Sequence, residues 1–360
     1  MSSEGYAPKS DPLGRERAGN LLLDQVAMLA AAATDVYFQN HPEHLARWGP
    51  KGRAATESDF RYHVRYLREA LATARPEIFT SYVDWVRSLL EQRGVNRNAL
   101  AGALETLRSV LANALPAPAS GAADECLRQA LAALDQPAAD TPSLIDPAQP
   151  HAELAQRYIE ALFNTDRQTA SRLIRDAVNA GVPVREIYLH VFQTAQYEIG
   201  RLWQANRIGV AQEHYCTAAT QLIMSQIYPM ILTAPRNGLR MVAACVEGDL
   251  HELGLRMVAD FFEMDGWDTV YLGANVPTGG VIQTIAAKRP HLVAISATMA
   301  FHLCGVTELI RETRAAGLTM PILVGGYPFN RVADLWRTVG ADGSAAGATD
   351  AVRVARELIV

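Results

Sequence analysis

Asp249, His251 and Gly254, within Glu247-Gly248-Asp249-Leu250-His251-Glu252-Leu253-Gly254, have the types and spacing to hold a metal. A neutral imidazole can offer one ring nitrogen to a metal ion. A carboxylate two residues earlier can accept the other ring N–H, which fixes the tautomer and the basicity of the ligating nitrogen. Gly254 lets a ligand approach the backbone closely. A surface loop with a chance histidine has the same pattern, so the reading depends on the elements that carry these residues. Two further sets stand out. Trp203 is followed ten positions later by Glu213-His214, which can equally be a core tryptophan and an exposed helix start. Asp59 and His63 lie at i and i+4 on one helix face, where a simple Asp–His capping pair is the alternative.

Behind these residues the 360-residue chain divides into blocks. Residues 1–19 read as a flexible tail. Residues 20–135 read as helices only: Phe60, Val64, Leu67 and Leu71 recur at helical spacing and put His63 at the edge of a buried stripe. Pro76 suits a helix start, Gly94 a helix end and Asn96 an N-cap. Residues 136–150 hold four prolines and no periodic pattern, which predicts a linker. From 151 to 235 four helices are expected, over 151–164, 166–180, 183–203 and 210–233. Short connections make them a four-helix bundle. From 239 to 360 short Val- and Ile-rich runs alternate with helical segments, which predicts a parallel sheet covered on both faces, of flavodoxin or Rossmann type. The fold class is thus α plus α/β. Parallel sheets bind ligands at the carboxyl ends of their strands, and the Asp249–Gly254 stretch follows the first strand.

Composition narrows the function classes. Hydrophobic residues make up 49% and charged residues 20%, ordinary globular values. The balance of 33 basic against 38 acidic side chains gives a net charge of −5 and no basic face for nucleic acid. The four cysteines, Cys126, Cys216, Cys245 and Cys304, form no CxxC pair and suit a reducing compartment. The polar N-terminus carries no signal core, and no apolar run suggests a membrane span. The expectation is a soluble, cytoplasmic protein.

Two later strand-end loops add Ser296-Ala297-Thr298 and Gly325-Gly326. With Asp249-x-His251-x-x-Gly254 they resemble the cobalamin-binding domain of B12-dependent methyl carriers, mutases and B12 photoreceptors. The resemblance covers 240–360. It implies His251 as the lower cobalt ligand, Asp249 as its hydrogen-bonding partner, and Ser296, Thr298, Gly325 and Gly326 lining the pocket for the nucleotide tail. Trp203 with Glu213-His214 is similar to the signature of CarH-type B12 photoreceptors. That likeness implies Trp203 over the adenosyl group of adenosylcobalamin, Glu213 in contact with it, and His214 as the upper cobalt ligand after light breaks the Co–C bond. A neutral imidazole suits that replacement.

The N-terminal block lacks the basic recognition helix of CarH proteins. The stretch Arg53…Asp59-Phe60-Arg61-Tyr62-His63-Val64-Arg65-Tyr66-Leu67, with Phe79-Thr80-Ser81-Tyr82-Val83-Asp84-Trp85, resembles instead the helical domain of photocobilins, which pair B12 with biliverdin. A linear tetrapyrrole needs partners for its pyrrole N–H groups, cations for its propionates and aromatic walls. Asp59 and His63 could meet the first need, Arg53 or Arg65 the second, and Tyr62, Tyr66, Tyr82 and Trp85 the third. No cysteine lies in 1–125, so biliverdin would be held non-covalently. The resemblance implies a light sensor rather than an enzyme. Its output would pass through a light-dependent homo-oligomer or a separate protein effector. The alternative is a corrinoid methyl carrier serving a methyltransferase.

Overall fold

In the computed structural model, residues 12–135, 142–232 and 234–359 are described, without the side chains of 12–18 and 20. They form two compact units, one of residues up to 87 with 95–135, the other of 88–94 with 142–359.

The first unit is built from α1 (Pro12–Asn40), α2 (Pro42–Thr73), the part of α3 (Pro76–Glu91) up to residue 87, α4 (Arg97–Ala114) and α5 (Ala119–Leu134). Helix α1 begins at Pro12, inside the stretch read as a tail; the rest of that stretch, 1–11, lies outside the described residues. Residues 21–40 are long and apolar enough to cross a membrane, a run that the sequence reading passed over. Asp24, Gln25, Thr34 and Asp35 interrupt it, so no unbroken apolar run is seen. Leu22, Val26, Leu29, Ala33 and Tyr37 recur at helical spacing and are buried, so this face is core in the folded unit. Helix α2 is broken at Gly49, where φ is +61°, because Pro50 has no N–H to continue the ladder. Pro76 opens α3, Gly94 takes a left-handed turn, and the Asn96 side chain accepts the Ala99 N–H at 2.9 Å, as the sequence predicts.

The second unit joins a helical part to a sheet through one core. Helices α6 (Ala152–Phe163) and α7 (Arg167–Asn179) come first. A continuous rod follows, made of α8 (Val184–Glu186), a π-helical stretch Ile187–Gln193 and α9 (Thr194–Gln204). Helix α10 (Val210–Ile227) is the last. These four helical segments match the expected ones to within a few residues at their ends, except that α10 gives way to a 3₁₀ turn at Tyr228–Met230. Tyr158, Ile174, Tyr188, Phe192 and Ile223 are buried with Phe261, Phe262 and Trp267 of the sheet part. The stretch read as a linker is partly tied down: Ser143 Oγ and the Leu144 N–H donate to the buried Glu198 carboxylate at 3.2 and 2.9 Å. Residues 136–141 lie outside the described residues.

The sheet contains β1 (Arg240–Cys245), β2 (Asp268–Gly273), β3 (Leu292–Ser296), β4 (Ile322–Gly325) and β5 (Gly343–Ala345), all parallel, in the order β2-β1-β3-β4-β5. Helices α11 (Leu253–Met264), α12 (Thr278–Lys288), α13 (Leu303–Ala315) and α16 (Ala348–Leu358) alternate with the strands. The expected helix over 329–339 is two short pieces, α14 (Tyr327–Arg331) and α15 (Leu335–Thr338), because Asp334 adopts a left-handed conformation between them. The strand order reverses between β1 and β3, so their carboxyl-end loops diverge and leave a crevice.

Candidate functional site

The loop after β1 is clamped from several sides. Asp249 is fully buried. Its Oδ1 accepts the His251 backbone N–H at 3.0 Å and the His251 ring at 2.8 Å. Its Oδ2 accepts the Thr298 backbone N–H at 2.6 Å, which ties this loop to the one after β3. Burial pushes the Asp249 carboxyl up, but these hydrogen bonds outweigh it and hold the group below its usual range. A carboxylate has no proton to donate, so His251 Nδ1 must carry the hydrogen and the neutral ring keeps its lone pair on Nε2. The His251 side chain is 58% exposed, so that lone pair can meet an outside ligand. The Asp249 hydrogen bond raises the His251 pKa, against burial, and the field of Glu213 adds to the rise.

Other predicted residues fall around this crevice. Ser296 ends β3 opposite Gly325 of β4 and is nearly buried. Thr298, expected only to line the tail pocket, supplies its backbone N–H to the clamp. Gly326 has φ +112°, and a Cβ there would sit 2.1 Å from the Ala297 carbonyl oxygen. Gly254 lies in the first turn of α11 with nothing within 4 Å of a hypothetical Cβ, which leaves room for a ligand beside the backbone.

Sequence reasoning missed two parts of the clamp. Glu252 accepts from the Tyr271 hydroxyl (3.0 Å), the Ala274 N–H (3.1 Å) and Gln221 Nε2 (2.9 Å), linking the β1 loop to the end of β2 and to α10. Asn275 Oδ1 accepts the Gly248 N–H at 2.8 Å, and its own N–H reaches the Asp249 carbonyl at 2.9 Å. Glu252 lies beside the histidine and was the one legible hint. The Asn275 contact needs the β1–β2 pairing before it can be seen.

Glu213 and His214 lie in the first turns of α10. His214 Nδ1 is hydrogen-bonded to Glu213 Oε2 at 2.5 Å, and the His214 side chain is 76% exposed. Its Nε2 is thus left for an incoming group, as in His251. Behind Glu213 a polar chain enters the core: Thr217 is within hydrogen-bonding distance of Glu213 and of Gln196, Gln196 donates to Thr220, and Thr220 meets Tyr158. Trp203 is half-buried in the last turn of α9.

The first unit divides the set proposed there. Tyr66 and Tyr82 stack with ring centroids 3.8 Å apart, and Trp85 stands near Tyr82. Tyr62 is exposed. His63 lies in the core rather than at its edge: it is fully buried and bonded through Nδ1 to the Tyr82 hydroxyl at 2.8 Å. The extra α3 wall, invisible to a single-helix pattern, closes over it. Arg53 is ion-paired with Asp35 and Glu57, so its charge is already matched. Asp59 is half-buried, and its side chain makes no hydrogen bond or ion pair among the described residues.

These two groups give a testable pH signature. Burial pushes the Asp59 carboxyl up to about 6 and pulls His63 down to about 4. Below the unfolded-state histidine value the unfolded chain gains a proton that folded His63 refuses, so this contribution is lost as pH falls from about 6.5 towards 4. Folded Asp59 instead holds a proton that the unfolded chain has released, so its contribution is lost as pH rises through about 6. The two terms oppose each other. Asp59→Asn is expected to raise the thermal unfolding midpoint near pH 7 and to unmask a loss of about 2 kcal/mol between about pH 7 and 5. A variant with the wild-type pH response would contradict the assignment.

Comparison with known proteins agrees with the geometry of the second unit. Residues 239–355 match a B12 binding domain family, and residues 154–228 match a second family also described as a B12 binding domain. The trimethylamine corrinoid protein 1 of Methanosarcina acetivorans is 23% identical over 213 residues, 58% of this chain and 98% of that protein. The HTH-type transcriptional repressor CarA of Myxococcus xanthus is 31% identical over 120 residues, 33% of this chain and 41% of CarA. Among solved structures, the monomethylamine corrinoid protein of Methanosarcina barkeri superposes with a TM-score of 0.52 at 25% identity, over 58% of this chain and 99% of that one. The chain therefore carries a cobalamin-binding module, a helical segment followed by a Rossmann-like five-stranded parallel sheet.

Proposed function

We propose that this protein is a light sensor that holds adenosylcobalamin between His251 and the α10 start, with His214 as the group that takes over the upper cobalt position after illumination. The observation that carries this reading is the pair of exposed imidazoles, each fixed through Nδ1 by a carboxylate and each leaving Nε2 open. When bound, the cofactor supplies a weak cobalt–carbon bond that light can break. The chain's own part is to fix His251 by Asp249, to leave room beside Gly254, to place Trp203 and Glu213 near the departing group, and to orient His214 through Glu213. Output goes through a change of assembly or a separate protein effector, because a ligand-dependent two-state interface is enough to carry a signal.

The test is the absorption spectrum of protein loaded anaerobically with adenosylcobalamin, before and after green light. The light product should differ from the dark form. His214→Ala should alter the product spectrum and spare dark binding. An unchanged spectrum under light removes the sensor reading and leaves the corrinoid methyl carrier, which the names of the M. acetivorans and M. barkeri relatives favour.

Biliverdin on the first unit is part of the same proposal. Its support is Asp59, a carboxylate without a hydrogen-bond partner beside the stacked Tyr66–Tyr82 pair, where a pyrrole N–H could be received. Tyr62 and Trp85 are the remaining wall, while His63 acts through Tyr82. Added biliverdin should give a structured far-red band that Asp59→Asn weakens; a broad, solvent-like band would remove this part.

A further inference from the structure

The junction between α1 and α2 carries a side-chain cluster that the cobalamin reading does not use. His41 lies between the two helices, and Glu43 and His44 stand in the first turn of α2. One ligand atom from each, an imidazole nitrogen of His41 and of His44 and a carboxylate oxygen of Glu43, all lie within 4.8 Å of one another. His41 Nδ1 is 3.4 Å and His44 Nε2 3.9 Å from Glu43 Oε1. Zinc bonds to nitrogen and oxygen are about 2.0–2.2 Å, and a tetrahedral arrangement then spaces neighbouring ligand atoms by about 3.4 Å. The His41–Glu43 separation already has that spacing, and the His44–Glu43 separation exceeds it by about 0.5 Å, so binding an ion would draw the side chains slightly together.

The shell around the cluster is ordered for ligation. The Tyr37 hydroxyl is 2.8 Å from His44 Nδ1 and 3.3 Å from the Ala99 carbonyl oxygen of α4. A carbonyl only accepts, so the hydroxyl proton goes to Ala99, and the hydroxyl oxygen receives the His44 Nδ1–H. That leaves the Nε2 lone pair towards Glu43 and His41, the tautomer a metal needs. Trp48 stacks on the His44 ring with centroids 4.5 Å apart, which holds its plane. A Cβ at Gly102 of α4 would come within 3.1 Å of His41 Nε2, so α4 packs closely behind the second imidazole. The N-terminal end of α2 and the nearby Arg47 oppose a cation. Helix-end effects are small beside the strength of metal–ligand bonds.

We propose that His41, Glu43 and His44 form a binding site for one divalent transition-metal ion of the zinc class, with a fourth position open to water or an external ligand. The ion would pin the α1–α2 junction to α4 through the Tyr37–Ala99 contact. The bland alternative is a helix-end histidine–glutamate pair that binds nothing.

Zinc titration of the cobalamin-free full-length chain against a chromophoric chelator separates the two. The wild type should bind one zinc ion per chain at micromolar or tighter affinity. Glu43→Gln and His44→Ala should each weaken it at least tenfold, while His214→Ala and His251→Ala should leave it unchanged. Glu43 is 64% exposed, so its substitution tests ligation without disturbing the core. Binding that survives Glu43→Gln at wild-type affinity, or absence of zinc binding below millimolar concentration, overturns the site.

Discussion

Replacing His251 with alanine is expected to weaken cobalamin binding by about 100-fold or more. Loss of a hydrogen-bonding partner behind a metal ligand already costs ~10–100-fold, and loss of the ligand itself should exceed that. The surrounding structure sharpens the expectation. Glu252 and Asn275 brace the loop through Tyr271, Ala274, Gln221 and Gly248, so the loop should keep its shape when the imidazole is removed and the loss should read on ligation alone. Asp249→Asn should fall in the lower range. Asp249 receives three N–H donors with two oxygens, whereas an amide has a single acceptor oxygen and turns an NH2 group towards one of those donors. Equilibrium titration of the apoprotein with cobalamin, followed by absorbance, ranks the three proteins. Wild-type affinity in His251→Ala would refute the ligand assignment.

Gly326→Ala is expected to destabilise the sheet by ~3–5 kcal/mol. Its φ of +112° is one that L side chains rarely adopt, and the new Cβ would meet the Ala297 carbonyl oxygen at 2.1 Å. Backbone strain and forced overpacking each cost about 1–3 kcal/mol. Relief requires Ala297 to retreat, and Ala297 is the residue whose N–H donates to the Gly325 carbonyl at 3.1 Å. The adjacent Thr298 N–H would then drift from Asp249, so the cost reaches the His251 clamp. Thermal unfolding should show a fall of ~10 °C or more, with cobalamin affinity reduced in the protein that remains folded. Wild-type values for both would show that the β3 and β4 ends are more yielding than their geometry indicates.

The parts of this molecule set by local pattern were legible in the sequence. The alternation after residue 239 follows from runs such as RMVAAC and HLVAISAT, whose apolar continuity suits strands covered on both faces. Pro76 and Asn96 mark helix ends because their effects act within one turn. Asp249 and His251 meet because their partner is two residues away. What was not legible depends on tertiary contact. His63 looked like an edge residue until α3 supplied Tyr82 and closed the core. Residues 143–144 looked like free linker until Glu198 captured them. The π-helical stretch has no sequence signal, and it presents Tyr188 to Asp260 of α11 at 2.7 Å across the shared core. Membrane-length apolarity in 21–40 was hidden by Asp24, Gln25, Thr34 and Asp35, which break the run.

His251 supplying the lower nitrogen to cobalt is the central expectation for this protein. Electron paramagnetic resonance of the protein loaded with cob(II)alamin reads that nitrogen through its superhyperfine splitting. In protein grown with ¹⁵N-histidine the splitting should be a doublet, and His251→Ala should abolish it. A triplet that persists in the labelled protein would mean that the cofactor keeps its own unlabelled base on cobalt, and would contradict the role assigned to His251.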